Sequence, residues 1–192
     1  MKRLLIACST VAFGLALGFM PLHAQQTYDF GFGGGVSLPI GSTSDALTAG
    51  PQGALSFSWI PAGSPGLGLQ LDGMYQYILG DEDELGGSDI SQQVLSAALS
   101  VLYRFPTAAE SRIRPYILGG GGVYNFDVKG DDVGNVDSET EFGLEGGVGT
   151  DVEITPRFAI FVEGRYHNVF TEGDNFQLLP VSVGGRIGIG PR

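Results

Sequence analysis

The chain has 192 residues, enough for one domain and short of two. It carries 21 acidic against 10 basic residues, a net charge of −11, which excludes the basic patch a nucleic-acid partner requires. Its one cysteine, Cys8, lies in the apolar leader, so the remainder has no thiol or disulfide chemistry.

Residues 1–24 read as a cleaved secretory signal peptide. Lys2 and Arg3 give a positive start, residues 4–20 an apolar run, and Leu22-His23-Ala24 a small-residue cleavage site ahead of Gln25. Cleavage leaves eight basic residues against 21 acidic ones, with Lys129 the one lysine. Soluble exteriors are usually well stocked with lysine, so this shortage argues that much of the outside is not in water.

Residues 25–192 form the expected single domain, built of eight segments that alternate with period two. In the first (28–40), Phe30, Phe32, Val36 and Leu38 oppose Asp29, Gly31, Gly33, Gly35 and Ser37. The second (52–60) sets Leu55, Phe57 and Trp59 against Ala54, Ser56 and Ser58. The third (67–78) sets Leu67, Leu69, Leu71, Tyr75 and Tyr77 against Gln70, Asp72 and Gln76. The fourth (92–105) sets Leu95, Leu99, Val101, Tyr103 and Phe105 against Ser96, Ala98, Ser100 and Arg104.

The fifth (113–128) contains the run Gly119-Gly120-Gly121-Gly122, and Tyr116, Leu118, Tyr124 and Phe126 are read as its lipid-facing side. The sixth (141–153) sets Phe142, Leu144, Val148 and Val152 against Glu141, Glu145 and Asp151. The seventh (157–170) sets Phe158, Ile160, Val162, Gly164 and Tyr166 against Ala159, Phe161, Glu163, Arg165 and His167. The eighth (178–189) sets Leu179, Val181, Val183, Ile187 and Ile189 against Ser182, Gly184 and Arg186.

These segments exceed the common strand length of about 5–6 residues and reach the roughly 9–11 that a tilted strand needs to cross a bilayer. The connections at 61–65, 106–111 and 154–156 are short and carry proline. Those at 41–50, 80–89 and 129–138 are longer and rich in Asp, Gly and Ser. Short turns on one rim and long loops on the other are the layout of an outer-membrane barrel. The pattern therefore predicts an all-β fold, an eight-stranded antiparallel up-and-down transmembrane β-barrel with its Gly/Ser/Ala face inside. A small closed barrel has just enough interior for side chains, so glycine belongs there.

With the first strand running outward, the apolar-face aromatics fall into two groups. Phe30, Trp59, Tyr103, Phe105 and Phe158 lie at periplasmic strand ends, and Tyr75, Tyr77, Phe142 and Tyr166 at outer ends. Two belts at two interfaces are expected of amphipathic rings in a membrane. Inside, Asp72, Glu145, Glu163, Arg165, His167 and Arg186 form an expected polar cluster. A turn near Thr155 is read as placing Glu145 opposite Arg165 and Gly147 opposite Glu163.

The chain resembles the small outer-membrane β-barrels of the OmpA-transmembrane-domain and OmpX type, the outer membrane protein β-barrel domain group. RPYILGGGGVYNF and FVEGRYHNVF are similar to that group's fifth and seventh strands. The end differs: such barrels usually close on an aromatic residue, and this chain ends Gly190-Pro191-Arg192. The resemblance implies the architecture and an outer-membrane location. Its members include adhesins, resistance proteins, small pores and tethers.

The chemistry offered is sparse. His167 is the one histidine after Ala24 and has no nucleophile elbow or metal-ligand spacing around it. The four-glycine run lacks the lysine and following helix of a phosphate cradle. Asp81, Asp83, Asp131, Asp132 and Asp137 are candidates for loose divalent-cation binding, with lipopolysaccharide phosphates as a bridged partner. They do not match a calcium loop, and a solvated acidic surface is the plainer alternative. The expectation is a non-enzymatic, cofactor-free, monomeric protein of the outer membrane that acts through its acidic loops. The alternatives are a narrow pore, an enzyme at the outer rim, and a soluble ligand-binding barrel.

Overall fold

The computed structural model describes residues 26–45, 47–80, 90–108, 110–130, 138–171 and 175–189. The expected signal peptide at 1–24, the cation candidates Asp81, Asp83, Asp131, Asp132 and Asp137, and the end at 190–192 lie outside these residues.

Eight long strands, all antiparallel to their neighbours, form a closed ring. They are β1 (Thr27–Pro39), β3 (Gly50–Ile60), β4 (Leu67–Gly80), β5 (Ile90–Arg104), β6 (Ile113–Gly130), β7 (Glu139–Thr155), β8 (Phe158–Val169) and β9 (Phe176–Ile189). Pairing of β1 with β9, from Tyr28↔Ile189 to Pro39↔Leu178, closes it. Closure leaves no open strand edge, as lipid demands. A 3-10 turn at Gly41–Asp45 and the two-residue strand β2 (Leu47–Thr48) fold back over the outer rim. There β2 pairs with the end of β4, and Thr43 Oγ1 accepts the Gln177 N–H at 2.9 Å.

The periplasmic turn between β3 and β4 shows why it is tight. Gly63 and Gly66 adopt φ of 75° and 112°, values that L side chains avoid. The Gly66 carbonyl then receives the Arg104 N–H at 2.9 Å, tying the turn to β5.

Outward positions carry the exposed apolar side chains, among them Phe32, Leu55, Leu71, Leu99, Ile160 and Val183, while the alternate positions are buried. A soluble protein would have the opposite arrangement, and the greasy exterior is the surface that lipid covers.

In β6 the facing expected from the sequence is reversed. Tyr116, Leu118, Tyr124 and Phe126 are buried in the lumen, and Ile113, Ile117 and Val123 face out. The four glycines carry no facing information, and the sequence pattern alone puts the heavier aromatic face toward lipid. The inward rings instead fill the space that glycines on β7 leave. A Cβ on Gly143 would stand 2.7 Å from Tyr124 Cε2, and one on Gly149 would fall on the Tyr116 ring. Phe161 on β8 fills the room beside Gly33 and Gly184 in the same way. Large residues set against small ones are how a small barrel packs its interior.

The register of β7 on β8 also differs from expectation. Glu145 lies opposite His167, Gly147 opposite Arg165, and Gly149 opposite Glu163. Thr155 pairs with Phe158 across a turn at Pro156-Arg157 rather than about Thr155, and the irregularity between Glu153 and Thr155 takes up one extra residue on β7, so the pairs stand two positions from expectation. The shift is even, so each side chain keeps its predicted face. On the other side of β8 the ladder is interrupted between Gly164↔Val181 and His167↔Leu178, beside Pro180, which has no N–H to give.

Candidate functional site

The lumen is a solid column with three tiers. At the periplasmic end, Arg104 on β5 reaches Asp29 on β1 at 2.6 Å. Its Nε lies 3.6 Å from Asp151 on β7. Asp151 also accepts from Arg186 on β9 through both carboxylate oxygens, each 2.8 Å from Nη1. The Arg186 guanidinium lies between two aromatic faces, 4.9 Å from the Tyr116 ring centre and 5.2 Å from that of Phe161. Two acids and two arginines balance here.

Tyr116 links this tier to the next. Its hydroxyl receives Arg186 Nη2 at 3.4 Å and donates to Glu163 Oε2 at 2.8 Å. In the middle tier one guanidinium meets three carboxylates. Arg165 Nε lies 2.6 Å from Glu163, Nη2 2.8 Å from Asp72, and Nη1 3.3 Å from Glu145. The Ser100 hydroxyl donates to Glu145, and Gln70 Nε2 donates to Asp72 at 2.9 Å. Ser58 donates in turn to Gln70, so every long strand contributes to the two tiers. Arg165 is only 4% exposed, so this is a desolvated network. Such a group survives burial only with its donors satisfied, and all three nitrogens of this fork have carboxylate partners.

His167 sits above, its Nε2 3.4 Å from Glu145 Oε2 and its ring edge-on to Tyr124 at 5.5 Å. The third tier is apolar. Ile78, Val94, Tyr124, Phe126, Val169 and Leu178 pack into one buried cluster, with Leu47 of β2 and Phe176 against it. Leu47 brings the folded-back first connection into the seal.

All six residues of the expected polar cluster are in the lumen, but as parts of two linked groups. Asp72, Glu145, Glu163, Arg165 and His167 lie together, and Arg186 belongs to the lower quartet. Asp29, Arg104 and Asp151 complete that quartet. Their inward alternation was readable in the sequence, but their partnership spans β1, β5, β7 and β9 and has no local signal. Tyr116, the bridge, was assigned to the wrong face.

The nine aromatics of the two expected belts all stand at outward positions, with Phe30, Phe105, Tyr75, Phe142 and Tyr166 well exposed and Trp59, Tyr77, Tyr103 and Phe158 half-buried. Phe57, beside Phe30, extends the lower group, and Phe170, stacked on Phe142 at 6.3 Å, extends the upper one.

Ser100, Glu145 and His167 bring together the residue types of a hydrolytic triad in the wrong order. The carboxylate stands between serine and histidine, so the imidazole does not touch the hydroxyl. All three are buried, away from any substrate. Among the described residues no group of acids or histidines is arranged to hold a metal ion.

A family model described as the outer membrane protein beta-barrel domain matches residues 12–186. Among solved structures, the Neisserial surface protein A is similar over 85% of this chain and 98% of its own, with a TM-score of 0.60 at 17% identity. OprG, an outer membrane protein of Pseudomonas aeruginosa, is similar over 88% and 98%, at 0.58 and 16%. The outer membrane enzyme PagL is similar over 84% and 99%, at 0.51 and 20%. No curated protein sequence matches the chain.

Proposed function

The chain belongs to the outer membrane protein beta-barrel domain family and resides in the outer membrane, and from that premise we propose that it is a non-enzymatic, closed membrane anchor whose acidic outer loops make its contacts. The observation that supports this reading is the filled lumen. A conducting barrel needs a continuous wet path, and here an apolar seal lies over a buried ionic column. Similar barrels include an enzyme. In this chain the serine and histidine nearest to catalytic geometry are buried and wrongly ordered, which favours the non-enzymatic reading.

Residues 1–24 act as the export signal in this proposal, and the mature barrel is a monomer surrounded by outer-membrane lipid. Asp81, Asp83, Asp131, Asp132 and Asp137 supply a negative outer surface that holds divalent cations loosely and meets lipopolysaccharide phosphates through them. Reconstitution in planar bilayers tests the central claim. The expected trace shows no unitary current steps, whereas reproducible steps from the native chain would establish the narrow-pore reading instead. Calorimetry with calcium at low ionic strength tests the loops, since weak carboxylate binding is screened by salt.

A further inference from the structure

The charges of this barrel are sorted by rim. The chain has ten basic residues in all, yet Arg112 and Arg157 stand on two neighbouring periplasmic turns, with Arg114 at the start of β6. The backbone fixes their roots. Glu153 N–H donates to the Arg112 carbonyl at 2.7 Å, and Gly188 N–H to the Arg157 carbonyl at 2.8 Å. Arg114 is offset by Glu153, 3.0 Å away. Among the described residues, no ion pair involves Arg112 or Arg157, and both are exposed. The other acid on these turns is Glu110, also exposed.

Between the turns is a cavity of about 340 Å³ lined by Arg112, Arg114, Glu153, Ile154, Thr155 and Pro156. That volume falls in the range of small-ligand pockets, about 300–1,000 Å³. Its lipid side is apolar. Ile113 and Ile154 point outward and are 56% and 51% exposed. Phe105, whose N–H bonds the Pro115 carbonyl, and Phe158 flank the region at the level of the lower aromatic group. The cavity therefore lies where acyl chains give way to headgroups.

We propose that this rim cavity binds the headgroup phosphate of an anionic phospholipid of the periplasmic leaflet. The guanidinium fork of Arg112, in the lining, approaches the phosphate oxygens, Arg157 adds its charge from the position next to the lining residue Pro156, and Ile113 and Ile154 lie along the acyl chains. A guanidinium suits this role because its planar donors match two oxygens at once and it gives up hydration more easily than an ammonium. Arg114 stays with Glu153 and sets the wall. The acidic outer rim would repel the same lipid, so the site also favours one orientation of the barrel in an asymmetric membrane.

Native mass spectrometry of the detergent-folded barrel, titrated separately with phosphatidylglycerol and phosphatidylcholine, tests the proposal. One arginine near an anionic lipid surface is worth about fivefold, so two give a preference of roughly 25-fold for phosphatidylglycerol. R112Q/R157Q should lose most of that preference while its unboiled gel band keeps the mobility of the folded barrel. If the double variant does not fold, R112Q and R157Q singly should each lose about fivefold. Equal retention of the two lipids by the native barrel overturns the proposal, as does undiminished phosphatidylglycerol retention in a folded variant. Inorganic phosphate binding as tightly as the lipid would overturn the assignment to phospholipid.

Discussion

Replacing Arg165 by methionine should destabilise the barrel more than any other single change in the lumen. The guanidinium is 4% exposed and lies 2.6, 2.8 and 3.3 Å from three carboxylates. Removing one partner from a buried pair costs about 3–5 kcal/mol, because the other charge stays behind. Here three acids stay behind within one desolvated cluster, so the loss belongs at the upper end of that range. Urea slopes are about 1–3 kcal/mol per M, and a loss of about 4 kcal/mol then moves the midpoint by roughly 2 M. Unfolding from lipid vesicles, followed by emission of the one tryptophan, Trp59, reads this directly. Compensation follows from the same geometry. Removing Glu145 and Glu163 as leucines alongside R165M leaves Asp72, which lost its 2.8 Å partner and keeps only Gln70. That triple variant should recover part of the loss, and adding Asp72→Asn should return stability to within about 2 kcal/mol of native. Losses that simply add across the set, with no recovery, would refute the claim that these four residues form one network.

Arginine at the outward position Leu99 should cost about 2–4 kcal/mol if it lies near the midplane, measured by the same unfolding in lipid. Gly143→Ala should cost about 1–3 kcal/mol, since its Cβ would stand 2.7 Å from the Tyr124 ring. Gly73→Ala should be neutral or stabilising by about 0.4–1 kcal/mol, because its outward Cβ would meet nothing closer than 4.0 Å. Intact-mass measurement of the exported protein should give a chain beginning at Gln25.

Alternation survived translation into structure wherever each face carried a clear contrast. Leu67, Leu71 and Tyr75 against Gln70, Asp72 and Gln76 left no doubt, and β4 faces as that pattern requires. In β6 the contrast failed. Ile113, Ile117 and Val123 compete with Tyr116, Leu118, Tyr124 and Phe126, and four glycines separate the two halves. What decides the facing is not in β6 at all. It is the vacancy over Gly143 and Gly149 and the acceptor on Glu163, which are properties of β7 and β8. The two-residue shift of β7 on β8 was illegible for a related reason, since it combines a turn placed at Pro156-Arg157 with one extra residue taken up between Glu153 and Thr155, both matters of turn geometry. The apolar seal was also missed: Ile78, Val94 and Leu178 sit on the inward phase near strand ends, where a simple polar-inside rule gives no warning.

The ionic column constrains register as well as stability. A slip of one residue in β8 would turn Glu163, Arg165 and His167 toward lipid and bring Gly164 and Tyr166 into the lumen, because strand faces alternate. Arginine alone then costs about 2–4 kcal/mol at the bilayer midplane, and Asp72 and Glu145 lose Arg165 inside. A two-residue slip keeps every face and so escapes that penalty. It is opposed instead by the fork of Arg165, whose Nη1 and Nη2 reach Glu145 on β7 and Asp72 on β4 at 3.3 and 2.8 Å from one position along the barrel. It is opposed too by Phe161, which fits between Gly33 and Gly184. Ions and rings packed against glycines thus hold different parts of one register, and the lipid-facing residues, interchangeable in size and chemistry, hold little of it.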